Sequence, residues 1–348
     1  YVPAFCPQGI APECARQAAQ AYAEAVIFSA GVIRELDPGA RIVFGGPGGG
    51  TSDEEYEYFY RPALTSLASR IPGGGFDFFD YHNFNTYQEY ASNSRGKGLE
   101  FFRKMLADAG LPAKPMIIKA GATHSGQDQE ADNKRLHEPQ TEAQQAEYLI
   151  KRYVYHVANG VSLILWGDVR EDENEHSTYS HNGLMYNGIP RIGACTAQSE
   201  SPCPDPGDGV KKLSYYASKF LIEKTKGVDF GAVKSIATSI ANVCLYELPR
   251  SEQTPIYIAW LDDYSRASGK SKEVTLELPG LSAVSPGAAK ITRAIPDFPS
   301  DFQTSLQKLA DTDYPSFFRS TLYNLNGKTI SFDLTKTPVY IEAATLAK

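Results

Sequence analysis

The strongest constraint in this chain is an alternation of apolar strand and single helix. Four short apolar runs recur: Ile42-Val43-Phe44, Phe76-Asp77-Phe78-Phe79-Asp80-Tyr81-His82, Pro115-Met116-Ile117-Ile118-Lys119-Ala120 and Val161-Ser162-Leu163-Ile164-Leu165-Trp166. One helical segment separates each run from the next. Strands joined in this way pair in parallel, because a parallel partner is reached only through a crossover, and that crossover is right-handed. Near-continuous apolar strands predict burial on both faces of the sheet.

The helices announce themselves by periodicity and by their ends. Ala18, Tyr22, Ala25, Val26, Ala30 and Ile33 lie at helical spacing over residues 14–36, and Asp37-Pro38-Gly39 stops the run. Ser52 and Glu55 form a capping box for a helix to Arg70, which Pro72-Gly73-Gly74-Gly75 breaks. A helix over 98–109 ends at Gly110, with Pro112 just beyond. Thr141 and Gln144 cap a further helix with the stripe Ala146, Leu149, Ile150, Tyr153, Val154 and Val157, and a last one over 211–226 closes at Gly227. The connections after the strands are long and polar (residues 48–52, 83–97, 121–140 and 168–209), while those before them are short. That asymmetry belongs to a barrel or a doubly wound sheet whose C-terminal strand edge carries the site.

From Val228 the pattern changes to short alternating strands split by Gly, Pro and Asn turns: 256–260, 274–278, 328–334 and 339–342. This predicts an antiparallel β-sandwich over 228–348 after an α/β domain over 1–227. The length of 348 residues has room for a whole barrel and a small partner. The first 227 residues nevertheless hold only four strand–helix units against the eight of a closed barrel. Two open apolar sheet edges would result. An upstream N-terminal half-barrel segment or another copy of the chain is therefore expected to close the barrel.

A formal net charge of −7 argues against a nucleic-acid or basic membrane-surface partner. No apolar run approaches the ~20 residues that a spanning helix needs. Cys6 and Cys14 bracket one short polar loop, Cys195 and Cys203 another, and neither pair has metal-ligand spacing or a nearby His. Two local disulfides in an exported, extracellular-type protein follow, in preference to a metal site. Cys244, in the apolar run 240–246, reads as a buried core thiol. No metal or cofactor is called for. Asp172, Glu173, Glu175 and His176 lack a fixed ligand spacing, and the glycine run 45–50 lacks the ending of a phosphate loop.

In order along the chain, these pieces resemble the second half of a retaining glycoside hydrolase of the (β/α)8-barrel clan, clan A. Residues 37–47 are similar to strand five of that clan, 76–82 to strand six, 114–118 to strand seven and 160–166 to strand eight. Residues 211–217 resemble the final barrel helix, and the tail resembles the β-domain such enzymes append. The resemblance implies a TIM (β/α)8 barrel, of which strands five to eight lie in this chain, followed by an all-β sandwich. It also implies double displacement on a poly- or oligosaccharide, with an acid/base Glu ending strand four, upstream of Tyr1, and a nucleophile Glu ending strand seven.

At that nucleophile position the chain departs from the clan. Aligning Ala122-Thr123-His124-Ser125-Gly126 with the clan motif puts Ala120 there, and aligning on Gly121 alone puts Lys119 there. Neither can form the glycosyl ester, so this chain is expected to be inactive in hydrolysis. An engineered exchange, a natural pseudoenzyme and a misread strand each account for Ala120. The resemblance places Tyr81, His82 and Asn83 where strand six delivers side chains toward the nucleophile, and Trp166 where an aromatic stacks on the sugar. Asn85, Tyr87, His124, Asp168 and Glu171 are rim candidates for sugar hydroxyls. Two other functions compete: a non-catalytic carbohydrate-binding protein that keeps the Trp166 platform, and a Schiff-base aldolase using Lys119.

Overall fold

The computed structural model describes residues 6, 11–48, 51–93, 95–126, 140–172, 181–189, 207–251, 253–264, 271–281, 287–297 and 311–344. The chain forms two compact units. One comprises Tyr1–Asn85, Glu89–Gly121 and Gly160–Trp166; the other comprises Thr86–Gln88, Ala122–Asn159 and Gly167–Lys348.

The first unit is a four-stranded sheet in the order β1 (Val43–Phe44), β2 (Phe78–Asp80), β3 (Met116–Ile118), β4 (Val161–Ile164). All its pairings are parallel, as the strand–helix alternation predicts. The strands are shorter than the apolar runs, because the backbone leaves the ladder where the loops begin. Register divides the side chains cleanly. Val43 pairs with Phe78, Asp80 with Ile117 and Ile117 with Leu163, so these five share one face. Phe44, Phe79, Met116 and Ile164 point to the other.

Helices cover that second face. The first, α1 (Pro12–Leu36), is followed by α2, a continuous helix of three pieces: Asp53–Glu55, a π-helical turn Tyr56–Tyr60, and Arg61–Arg70. Ser52 makes the expected capping box with Glu55. Buried Ala15, Ala18 and Ala19 of α1 pack with Phe59 and Ala63 of α2, small side chains allowing the two helices a close approach. The Cys6–Cys14 disulfide ties the chain before α1 to its first turn. Cys195 and Cys203 lie outside the described residues.

Aromatic rings join these helices to the sheet. Tyr22 of α1 meets Phe44 at 5.5 Å and Phe59 at 5.6 Å, and Phe44 stacks on Phe79 at 5.5 Å. Phe102 of α3 (Leu99–Asp108) lies 5.9 Å from Phe79 and 4.6 Å from Tyr81. Burying each such ring contributes about 1.5–3 kcal/mol.

Burial on both faces, expected from the apolar strands, does not hold at the sheet edges. Val43 on β1 is 41% exposed, and Leu163 and Leu165 on and just after β4 are each 45% exposed. Val43 and Leu163 belong to edge strands, each paired on one side only, and Leu165 directly follows one of them.

The second unit contains α4 (Glu142–Ala158), α5 (Leu213–Lys224) and the remaining strands. Thr141 and Gln144 cap α4 reciprocally, as predicted. A six-stranded antiparallel sheet runs β10 (Ser320–Asn324), β9 (Ala288–Arg293), β12 (Val339–Ala344), β7 (Gln253–Leu261), β6 (Val243–Arg250), β5 (Lys234–Ser235). A two-stranded sheet pairs β11 (Thr329–Leu334) with β8 (Lys272–Glu277). Val274 and Leu276 of β8 and Ile330, Phe332 and Leu334 of β11 turn inward onto Tyr257, Ala259, Ile291 and Ile341 of the larger sheet, with polar residues alternating outward. Cys244, expected in the core, is only partly buried, on the face of β6 opposite Leu245.

The two faces of the parallel sheet should respond differently to substitution. Phe102→Ala, which removes the ring between Phe79 and Tyr81, is expected to lower unfolding free energy by about 3–5 kcal/mol. Leu163→Gln, at an exposed edge position of the other face, should change it by less than about 0.5 kcal/mol. Urea unfolding followed by far-UV circular dichroism measures both, and equal losses would contradict this assignment of faces.

Candidate functional site

Parallel pairing sends every strand's C-terminal end to the same edge of the sheet, so residues after β1 to β4 meet there. After β1 the chain turns at Gly45-Gly46-Pro47. A Cβ on Gly46 would lie 2.2 Å from the Asp80 carbonyl oxygen, so only glycine lets β1 end this close to β2. The His82 amide then donates to the Pro47 carbonyl at 3.1 Å, and the Asn83 amide to the Ala120 carbonyl at 3.1 Å, extending contact beyond the formal strands.

Asp80 is the centre of this edge. Its side chain is fully buried on the face away from the helices, where the Lys119 amide donates to Oδ1 at 2.9 Å. Oδ2 faces the Lys119 ammonium at 3.5 Å and His82 Nε2 at 3.8 Å. Two of the expected catalytic residues, His82 and Lys119, are thus brought together by a carboxylate that had no assigned role. Burial holds the His82 imidazole below its usual pKa of 6.5; Asp80 opposes that shift, and Lys119 adds to it.

The other expected residues of this unit occupy varied places. Tyr81 turns to the helix side and packs on Phe102, as the alternation after Asp80 requires. Ala120 is partly exposed, with its carbonyl held by Asn83. The Asn83 side chain donates to the Tyr90 carbonyl at 3.3 Å, and Asn85 donates to the Asn93 carbonyl at 2.8 Å, so both order the loop after β2. Trp166 is half-buried on the same sheet edge, following β4, where the Leu165 amide donates to the Ile118 carbonyl at 2.8 Å.

Tyr87, His124, Asp168 and Glu171 lie in the other unit. Gln140 joins the first two: its Oε1 accepts from the Tyr87 amide at 2.6 Å and its Nε2 lies 2.9 Å from His124 Nδ1. His124 is 2% exposed. Glu171 is buried in an ion pair with Lys212, whose ammonium also donates to Ser125 Oγ at 3.0 Å and the His181 carbonyl at 3.2 Å. Glu142 accepts from the Tyr186 hydroxyl and, at 2.8 Å, from the Leu213 amide, which ties the start of α4 to that of α5. Asp168 has its carboxyl pKa raised by burial and by neighbouring Asp172.

Sequence reasoning missed Asp80, Gln140 and Lys212. Asp80 had a signal, a carboxylate inside the otherwise aromatic run 78–81. Gln140 and Lys212 had none, since their partners lie far along the chain. Among the described residues no group of three or more His, Cys, Asp or Glu side chains could hold a metal ion.

Solved structures are similar in fold over almost the whole chain. A family 39 glycoside hydrolase from Bacteroides cellulosilyticus WH2 has a TM-score of 0.53 at 14% identity, covering 93% of this chain and 55% of its own. A 4-O-alpha-L-rhamnosyl-beta-D-glucuronidase from Fusarium oxysporum 12S has a TM-score of 0.53 at 10% identity, over 93% and 64%. CelM2, a bifunctional glucanase-xylanase from a metagenome library, has a TM-score of 0.52 at 11% identity, over 94% and 60%. The fold is that of the clan A glycoside hydrolases. No family model and no curated protein matches the sequence. The chain spans 55–64% of the length of these three structures.

A retaining glycosidase site in general needs two carboxyl groups about 5–5.5 Å apart, one of them free to attack. The end of β3 offers Lys119 and Ala120, while the Asp80 carboxylate is buried and committed to the Lys119 amide. This edge can bind and orient through a cation, an imidazole and an aromatic ring.

The trio has a pH signature. Protonating His82 is opposed in the folded state, so its contribution to stability is complete above about pH 6.5 and declines as pH falls through that value. NMR titration of the His82 ring should give a pKa below 6.5. Asp80→Asn should lower it further and Lys119→Gln should raise it. Opposite shifts would contradict the cluster.

Proposed function

We propose that this protein is a retaining glycoside hydrolase by ancestry that, with Lys119 and Ala120 ending β3, binds a poly- or oligosaccharide without hydrolysing it. One observation carries the proposal. The C-terminal end of β3, where double displacement needs a carboxylate, presents Lys119 beside Asp80 and then Ala120.

In this proposal β1 to β4 are strands five to eight of a (β/α)8 barrel, with residues 1–227 as barrel and 228–348 as the appended β-domain. The exposed apolar residues Val43 and Leu163 on edge strands, with Leu165 just after β4, support closure by further strands, from an N-terminal segment or a second copy. The Cys6–Cys14 disulfide supports export to an oxidising compartment. Trp166, at the same edge as Lys119, is the platform on which a pyranose face would stack.

The chain has two tryptophans, and Trp260 is fully buried, so a sugar-induced change in fluorescence reports on Trp166. Titration with β-linked gluco- and xylo-oligosaccharides should show saturable quenching. Trp166→Ala should weaken binding about tenfold, the scale of one lost aromatic stacking contact. No reducing sugar should be released. Hydrolysis by the unaltered chain would overturn the non-hydrolytic proposal, and absence of binding across the panel would overturn the carbohydrate role itself.

A further inference from the structure

A cavity of about 550 Å³ opens in the second unit at one end of the antiparallel sheets, within the ~300–1,000 Å³ range of small-molecule sites. Its walls come from both sheets. The period of two along β10 sends Thr321 and Tyr323 to one face, with Arg319 in step before the strand. Ile291 pairs with Thr321, and Arg293 lies beside Val339 of β12. Buried Phe332 of β11 faces them from the smaller sheet, 5.9 Å from the Tyr323 ring.

The polar wall is built and fixed. Glu147 of α4 is 8% exposed and lines the cavity. Its Oε1 accepts from Thr337 Oγ1 at 2.9 Å, and its Oε2 lies 3.7 Å from the fully buried ammonium of Lys151. Thr337 and Lys151 thus hold the Glu147 carboxylate in the cavity wall.

Charge around the mouth is uneven. Arg293 is neutralised by its ion pair with Asp297. Arg319, which is exposed, has no ion pair among the described residues, and neither has Asp333. Lys336 lies over the Tyr264 ring at 5.3 Å. Pairing Arg293 with Asp297 leaves the Arg319 guanidinium at the mouth without an ion pair among the described residues.

An aromatic face, a fixed buried acceptor and an uncommitted guanidinium around one cavity recognise an amphiphilic ring bearing hydroxyls and an anion. The geometry points to a binding site for an acidic saccharide in the second unit: a uronate whose ring stacks on Tyr323, whose carboxylate is held by Arg319, and whose hydroxyls donate to Glu147. Arginine suits this task because its planar fork bonds both carboxylate oxygens. Tyr323, Arg319 and Glu147 lie outside the parallel-sheet edge, so substitutions there test this site separately from the proposed function, although Tyr87 also lines the cavity.

The test is isothermal titration of the full chain with trigalacturonate and with its methyl ester, which keeps shape and removes charge. Trigalacturonate should bind at least tenfold more tightly than the ester, with an advantage that shrinks as salt is raised. Arg319→Gln should abolish that advantage, Arg319→Lys should restore part of it, and Tyr323→Ala should weaken both ligands. Urea midpoints verify that each variant is folded. Equal affinity for acid and ester would overturn the proposal, as would absence of binding, or an Arg319→Gln variant that keeps the preference.

Discussion

Strand register in the parallel sheet is the constraint on which the candidate site depends. Pairing Asp80 with Ile117 puts the aspartate on the same face as Val43, Phe78 and Leu163, away from the rings that hold α1, α2 and α3. A shift of one residue in β2 would send Asp80 into the aromatic layer and turn Phe79 outward. No such slip is tolerable, because it would bury a carboxylate among Phe44, Phe102 and Tyr22 and expose a phenyl ring. The hydrophobic layer on one face thus fixes the polar cluster on the other.

Much of this was legible in the sequence because both periodicities are local. Helix ends were marked by Ser52 with Glu55 and by Thr141 with Gln144, and both capping boxes form as the side-chain chemistry demands. The strand–helix alternation was enough for parallel pairing, and the alternation at 274–278 and 328–334 for two inward-facing rows. Burial of the edge strands was misjudged because an apolar residue records what a face prefers, whereas exposure depends on which neighbours are present. Val43 and Leu163 look as core-like as Phe79 and Ile118, and only the sheet order separates them.

The site was less legible, for a related reason. His82 and Lys119 stand out by type, but their meeting at Asp80 depends on pairing across 39 residues between Asp80 and Lys119. Tyr81, adjacent to both Asp80 and His82 in the chain, is turned away by simple alternation. Several loop residues expected to meet a ligand serve the loops themselves: Asn83 and Asn85 hold backbone carbonyls, and Glu171 buries its charge on Lys212. A buried pair of that kind contributes little net stability but penalises any arrangement that separates its members, which suits it to fixing loop conformation.

Gly46 carries a consequence for redesign. Its missing side chain is what allows β1 to end against the Asp80 carbonyl. Any larger residue would wedge the two strand ends apart and move the aspartate with its lysine and histidine partners. Position 46 is therefore closed as a place from which to add a new functional group. An attempt to return an attacking carboxylate to this sheet has to begin on β3, at Lys119 or Ala120, with the glycine left untouched.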